Sequence, residues 1–165
     1  MSAKDLEQLE DDINLLRDQL AGKRRTLVTI APEEQVRIEQ QIAELRKKIR
    51  NFEQEKWELI AQITSNSDIA NDEAEAVVAE LVAEGEVIAT NPPDDVLVLE
   101  LLQKILGKLN EPDKPAAAKL KGAISALPPF VSLTYEAELD TENAVRKYFP
   151  TFSNWTKNLA SRLKK

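Results

Sequence analysis

Residues 32–63 read PEEQVRIEQQIAELRKKIRNFEQEKWELIAQI. Within them Ile38, Ile42, Leu45, Ile49, Phe52, Lys56, Leu59 and Ile63 alternate four and three apart, with Lys56 the one polar member. That spacing draws a narrow stripe along a helix, the a/d seam by which one helix packs on another. Upstream, Leu6, Leu9, Ile13, Leu16 and Leu20 keep the same alternation. Between the two seams stands Ala31-Pro32-Glu33-Glu34. Proline has no N–H to lose at a first helical position, and two glutamates suit the positive end of a helix dipole, so Pro32 starts a second helix. Helices over about 2–30 and 32–62 are each roughly 45 Å long at 1.5 Å per residue. Matched lengths predict an antiparallel hairpin over residues 1–63 rather than one rod. Such a hairpin buries only a stripe, so it packs either on the rest of the chain or on a second copy, which is the main reason to expect a homo-oligomer.

The polar run Thr64-Ser65-Asn66-Ser67-Asp68 marks the boundary with a second region, 64–165. Ala74, Val77, Val78, Leu81 and Val82 form a helical face, and Gly85 interrupts it before Glu86-Val87-Ile88-Ala89-Thr90, which reads as a short strand. Asn91-Pro92-Pro93 ends that element. Asp94 or Asp95 caps a helix through Leu101, Leu102, Ile105 and Leu109, and Pro115 opens another through Leu120 and Ile124. Behind the connector Leu127-Pro128-Pro129-Phe130, residues 131–139 alternate strictly between apolar and polar, the best strand pattern in the chain; its edge partner is 86–90, part of 76–83, or another copy. Asp140 and Thr141 supply an N-cap for a final helix that Pro150 restarts or kinks, with Val145, Phe149, Phe152, Trp155 and Leu159 near helical spacing. The expected class is mainly α, with α+β open: a long coiled-coil hairpin followed by a compact helix-rich module holding at least one strand.

The 165 residues include no Cys and no His. This removes thiolate nucleophiles, disulfides, the usual zinc ligand sets and imidazole acid–base chemistry, leaving only carboxylate, Lys or Ser/Thr mechanisms to an enzyme. The four glycines are scattered, so no phosphate-cradling loop exists. Glu136, Glu138 and Asp140 are read as solvated strand carboxylates rather than cation ligands. No catalytic, cofactor-binding or metal-binding residue is assigned, and the chain is expected not to be an enzyme. Neither a membrane span nor a signal peptide is evident, so a cytoplasmic location is expected.

Net charge is −7, unevenly spread: residues 1–63 carry 11 basic and 13 acidic groups, 64–113 carry 2 and 12, and 114–165 carry 9 and 4. An acidic middle and a basic end attract each other, within a chain or between copies, unless both are simply solvated faces. Lys23-Arg24-Arg25 and Arg46-Lys47-Lys48 with Arg50 are basic runs. Counted from a turn at Ala31, residue 46 faces about residue 16, so the runs do not merge, and nucleic acid is not expected as a partner. The last helix is amphipathic and basic; it suits a core-facing position first and an anionic membrane surface second.

The run Lys114-Pro115-Ala116-Ala117-Ala118-Lys119-Leu120-Lys121, then Pro128-Pro129, the centre Tyr135-Glu136-Ala137-Glu138-Leu139-Asp140-Thr141-Glu142 and the end Phe149-Pro150-Thr151-Phe152 together carry a resemblance. With a coiled-coil hairpin in front, they resemble the effector-associated domains that accompany caspase-like, TIR or NACHT-type NTPase modules in bacterial conflict and signalling proteins. Some of these are similar to the N-terminal domain of the death adaptor TRADD. The resemblance implies an adaptor that joins effector or NTPase proteins by like-with-like association; no such catalytic module lies within these residues. The expected contact residues are Leu9, Leu16, Ile42, Ile49 and Phe52 on the hairpin, and Tyr135, Phe149, Phe152 and Trp155 in the second region. The alternative is a peripheral membrane scaffold acting through the C-terminal helix.

Overall fold

The structure, a computed structural model, describes residues 3–128 and 148–163. Among them it forms six helices and no strand: α1 (Ala3–Thr29), α2 (Pro32–Ser65), α3 (Asn71–Thr90), α4 (Val96–Leu109), α5 (Ala116–Ser125) and α6 (Pro150–Leu163). Helices α1 and α2 are the expected hairpin. Pro32 occupies the start of α2, behind an extended Ala31, and Glu33 and Glu34 fill its first turn. The helix runs through the first residues of the polar break to Ser65, because Thr64 is buried and only from Asn66 on do backbone and Ser67 hydroxyl bonds close the last turn.

The strand expected at 86–90 does not form; those residues are the last turns of α3. Gly85 is read correctly as exceptional but for the wrong reason. It lies in the buried stripe Ala74, Val78, Leu81, Gly85, Ile88, and a Cβ there would overlap the Leu106 side chain of α4. The missing side chain permits close approach of two helices rather than a break. Residues 76–83, a candidate edge for strand pairing, are helical too. The strand expected at 131–139 and the cap at Asp140 and Thr141 lie outside the described residues.

The remaining punctuation holds. Asn91 N–H bonds back to the carbonyls of Val87 and Ile88 before Pro92 and Pro93 stop α3. Asp95 caps α4, its carboxylate accepting from Val98 N–H at 3.2 Å. Pro115 precedes α5 and Pro150 restarts the chain as α6.

Helix α4 is the centre of the core: Val98, Leu102, Ile105 and Leu109, four and three apart, are all sealed from solvent. Around them pack Leu81 and Ile88 of α3, Leu120 and Ile124 of α5, and Phe149, Phe152 and Trp155 at the start of α6. The hairpin contributes its open end, through Leu6 of α1 and Trp57, Leu59 and Ile60 of α2. The division expected at 63/64 therefore runs through a shared core.

Candidate functional site

Past Leu9 on α1 and before Trp57 on α2, no described residue of the hairpin joins that core. Ile13, Ile38 and Ile49 are buried between the two helices. Leu16, Leu20, Ile42, Leu45 and Phe52 remain half-buried, because a two-helix seam has no third layer to close it. Leu15, Val28 and Val36 are exposed, Val28 at 84%. The distal hairpin is thus an arm roughly 30 Å long, taking residues 10–29 of α1 at 1.5 Å per residue.

A layer of charge sits at the root of the arm. Arg17 of α1 pairs with Glu53 of α2, which is only 3% exposed. One turn lower, Lys56 lies 3.7 Å from Glu10 and 5.7 Å from the Trp57 ring centroid. Burial holds the Lys56 ammonium below the ordinary lysine range; Glu10 opposes that shift, while Arg17 and Lys157 of α6 add to it. The second carboxylate oxygen of Glu53 is buried without a hydrogen-bond partner among the described residues. Charges set into a seam fix which residues pair, at a cost in stability.

These pairs revise the register counted from the turn. Glu53 was due to face residue 9 and Lys56 residue 6, but they meet Arg17 and Glu10. Side chains tilt toward their own helix N-terminus, so in an antiparallel hairpin partners are offset along the axis. By the same offset Arg46 falls beside positions 20–24, next to Lys23-Arg24-Arg25. The two basic runs are closer than the count from Ala31 implies, and no ion pair joins either run to another described residue.

A second polar arrangement joins α3 to α6. Glu84 accepts hydrogen bonds from the backbone N–H of Thr151, at 3.1 Å, and from its hydroxyl. Thr151 is in the first turn of α6, so Glu84 caps that helix from another element and faces its positive end. Burial pushes the Glu84 carboxyl above the usual carboxylate range, against the Thr151 hydrogen bonds, and Glu80 adds to the rise. Glu84, Ile88, Tyr148 and Pro150 border a shallow cleft of about 280 Å³. A larger cleft, about 580 Å³, lies at the open end of the hairpin between Asp5, Leu9, Glu55, Glu58 and Gln62. Capping accounts for the Glu84 environment without a substrate.

Of the expected contact residues, Leu16, Ile42 and Phe52 lie on the arm, half-buried, and Ile49 is sealed within its seam. Leu9 packs against the core. Phe149, Phe152 and Trp155 are core residues, the two phenylalanines edge-to-face at 5.5 Å. These three side chains, which a membrane-surface helix would have to expose, are buried by the chain itself. Tyr135 lies outside the described residues. Sequence reasoning missed Arg17 and Glu53, although each directly follows a seam residue, where charges flank helix pairs. It missed Glu84 for want of any local signal, since the helix it caps begins 66 positions later. Among the described residues no cluster of three or more acidic side chains could hold a metal ion, and no helix is long and apolar enough to cross a membrane. No family model matches the sequence, and no curated protein and no solved structure matches it either.

Proposed function

We propose that the chain is a non-catalytic adaptor or oligomerisation module that brings protein chains together through the α1–α2 arm. One observation carries this reading: the core closes around the base of the hairpin and leaves its distal half with a half-buried seam and exposed Val28 and Val36. An amphipathic helix pair takes further helices readily. The resemblance to effector-associated domains supports the same role and extends it to effector or NTPase partners in a bacterial signalling or defence pathway in the cytoplasm.

Light scattering coupled to size exclusion, from micromolar to millimolar protein, tests the reading. The expected result is a defined, concentration-dependent assembly that Val28→Glu with Val36→Glu weakens; both sites are exposed, so the fold survives. A chain that stays monomeric throughout, and that binds no product of adjacent genes, overturns the proposal.

A further inference from the structure

The most polarised element of the molecule is α3. Its 20 residues include six acidic and no basic ones. Asp72, Glu75, Glu80 and Glu86 are exposed on a face whose gaps are filled by Ala76, Ala79 and Ala83, with Val87 66% exposed at its end. Small side chains between carboxylates leave a shallow surface that a second helix can approach closely. Among the described residues no lysine or arginine forms an ion pair with this face.

The arm presents the opposite sign. Residues 23–25 and 46–50 hold seven cations and no carboxylate. The offset seen at Arg17–Glu53 and Lys56–Glu10, carried up the hairpin, brings Arg46 and Lys47 toward the first run; Arg24, Arg25, Lys47 and Lys48 are exposed, with the exposed carboxylates of Asp18 and Glu44 among them. Within one chain the two surfaces serve different neighbours: α3 packs on α4, α5 and α6, and the arm helices pack on each other, with α5 and α6 at their base. Among the described residues neither the exposed carboxylates Asp72, Glu75, Glu80 and Glu86 nor the cations of the two runs form an ion pair, although Glu75 and Glu80 accept hydrogen bonds from Asn71 and Thr151.

We propose that the basic belt on the arm takes as its occupant the acidic face of α3 in a second copy of this chain. This rests on the arm being an association surface and names what it meets. At 1.5 Å per residue α3 is about 30 Å long, which matches the free arm. Opposed charges set register and orientation, and like charges penalise the alternatives, arm on arm and α3 on α3. The contact is heterologous, so it closes as a reciprocal pair when two arms each reach the other copy's α3.

Sedimentation velocity of the full chain tests this with two charge-reversed variants. In one, Arg24→Glu, Arg25→Glu, Lys47→Glu and Lys48→Glu invert the belt; in the other, Asp72→Lys, Glu75→Lys and Glu86→Lys invert the face of α3. All seven sites are exposed, and circular dichroism checks that both variants fold. The wild type associates at low salt and weakens about tenfold or more at high salt, where exposed charges are screened. Each variant alone is monomeric. Mixed one to one they assemble again, because each then offers the other an opposite surface. A mixture that stays monomeric overturns the proposal, as does association of either variant at wild-type strength. If assembly survives both charge reversals but is lost with Val28→Glu and Val36→Glu, the arm is an interface and α3 is not its partner. A belt that binds DNA oligonucleotides while the mixture stays monomeric assigns the cations to a polyanion and also overturns it.

Discussion

The two halves of the hairpin share one sequence rule and have different fates. At the base, Leu6 and Leu59 continue the four-three alternation and end in the core beside α4–α6. On the arm, Leu16, Leu20, Ile42 and Leu45 continue the same alternation and end half-buried. Periodicity says that a stripe is covered by a partner; it does not say how many layers cover it. The number of layers decides how much apolar area leaves water, at roughly 25 cal/mol per Å². The same pattern can therefore anchor a core or present a surface.

Substitutions can break this contrast. The largest effect is expected in the core, where Leu102→Ala leaves a cavity and costs about 3–5 kcal/mol by denaturant unfolding, while Leu20→Ala on the arm costs about 1 kcal/mol. Equal losses would mean that the arm is as tightly enclosed as the core. Next comes the charged layer dividing the two halves. Arg17→Met strands the Glu53 carboxylate and costs about 3 kcal/mol, and adding Glu53→Met recovers most of it, because two apolar side chains suit the site as well as a buried pair does. No recovery in the double variant would show that the layer stabilises the seam rather than selecting its register.

Two smaller effects are read through pH. Glu84 takes up a proton more readily folded than unfolded, so between the ordinary 4.5 and its raised value the native state binds more protons. Stability then falls as pH rises through that window. Glu84→Gln keeps an acceptor for Thr151 and should flatten that part of a melting-temperature profile; an unchanged slope would place the titration elsewhere. Lys56 has the opposite sign. Its lowered value means the unfolded state binds more protons below 10.5, so its contribution to stability rises as pH rises through the folded value. Lys56→Met should remove that rise and, at neutral pH, leave stability unchanged or higher by up to ~1 kcal/mol. A clear loss would show that the contact with Glu10 outweighs desolvation.

The hairpin was legible because its signals are local and repeated: two seams, one proline and two glutamates. The caps at Asp95, Pro115 and Pro150 were legible for the same reason. The end of α3 was misread because Gly85 looks the same in one dimension whether it breaks a helix or admits Leu106, and Val87 and Ile88 suit either structure. Phe152 and Trp155 fall on the buried face of a helix, as their spacing suggests, while Phe149 precedes that helix; whether such a face meets the chain or a partner depends on α3 and α1, which sequence spacing cannot supply. The offset between Arg17 and Glu53 was out of reach for a related reason, since counting from a turn ignores the direction in which side chains lean.

The cap that α3 provides for α6 also bears on the order of folding. Phe149, Phe152 and Trp155 complete a core that includes Leu6, so the first helix of the chain and the last described one depend on each other. Helix α6 takes its N-terminal acceptor from Glu84, made long before it. During synthesis the hairpin, α3, α4 and α5 all precede the residues that seal them, and until then Leu102, Ile105 and Trp57 lack part of their cover. Contacts of such long sequence separation slow folding and prolong the exposure of apolar surface in the nascent chain.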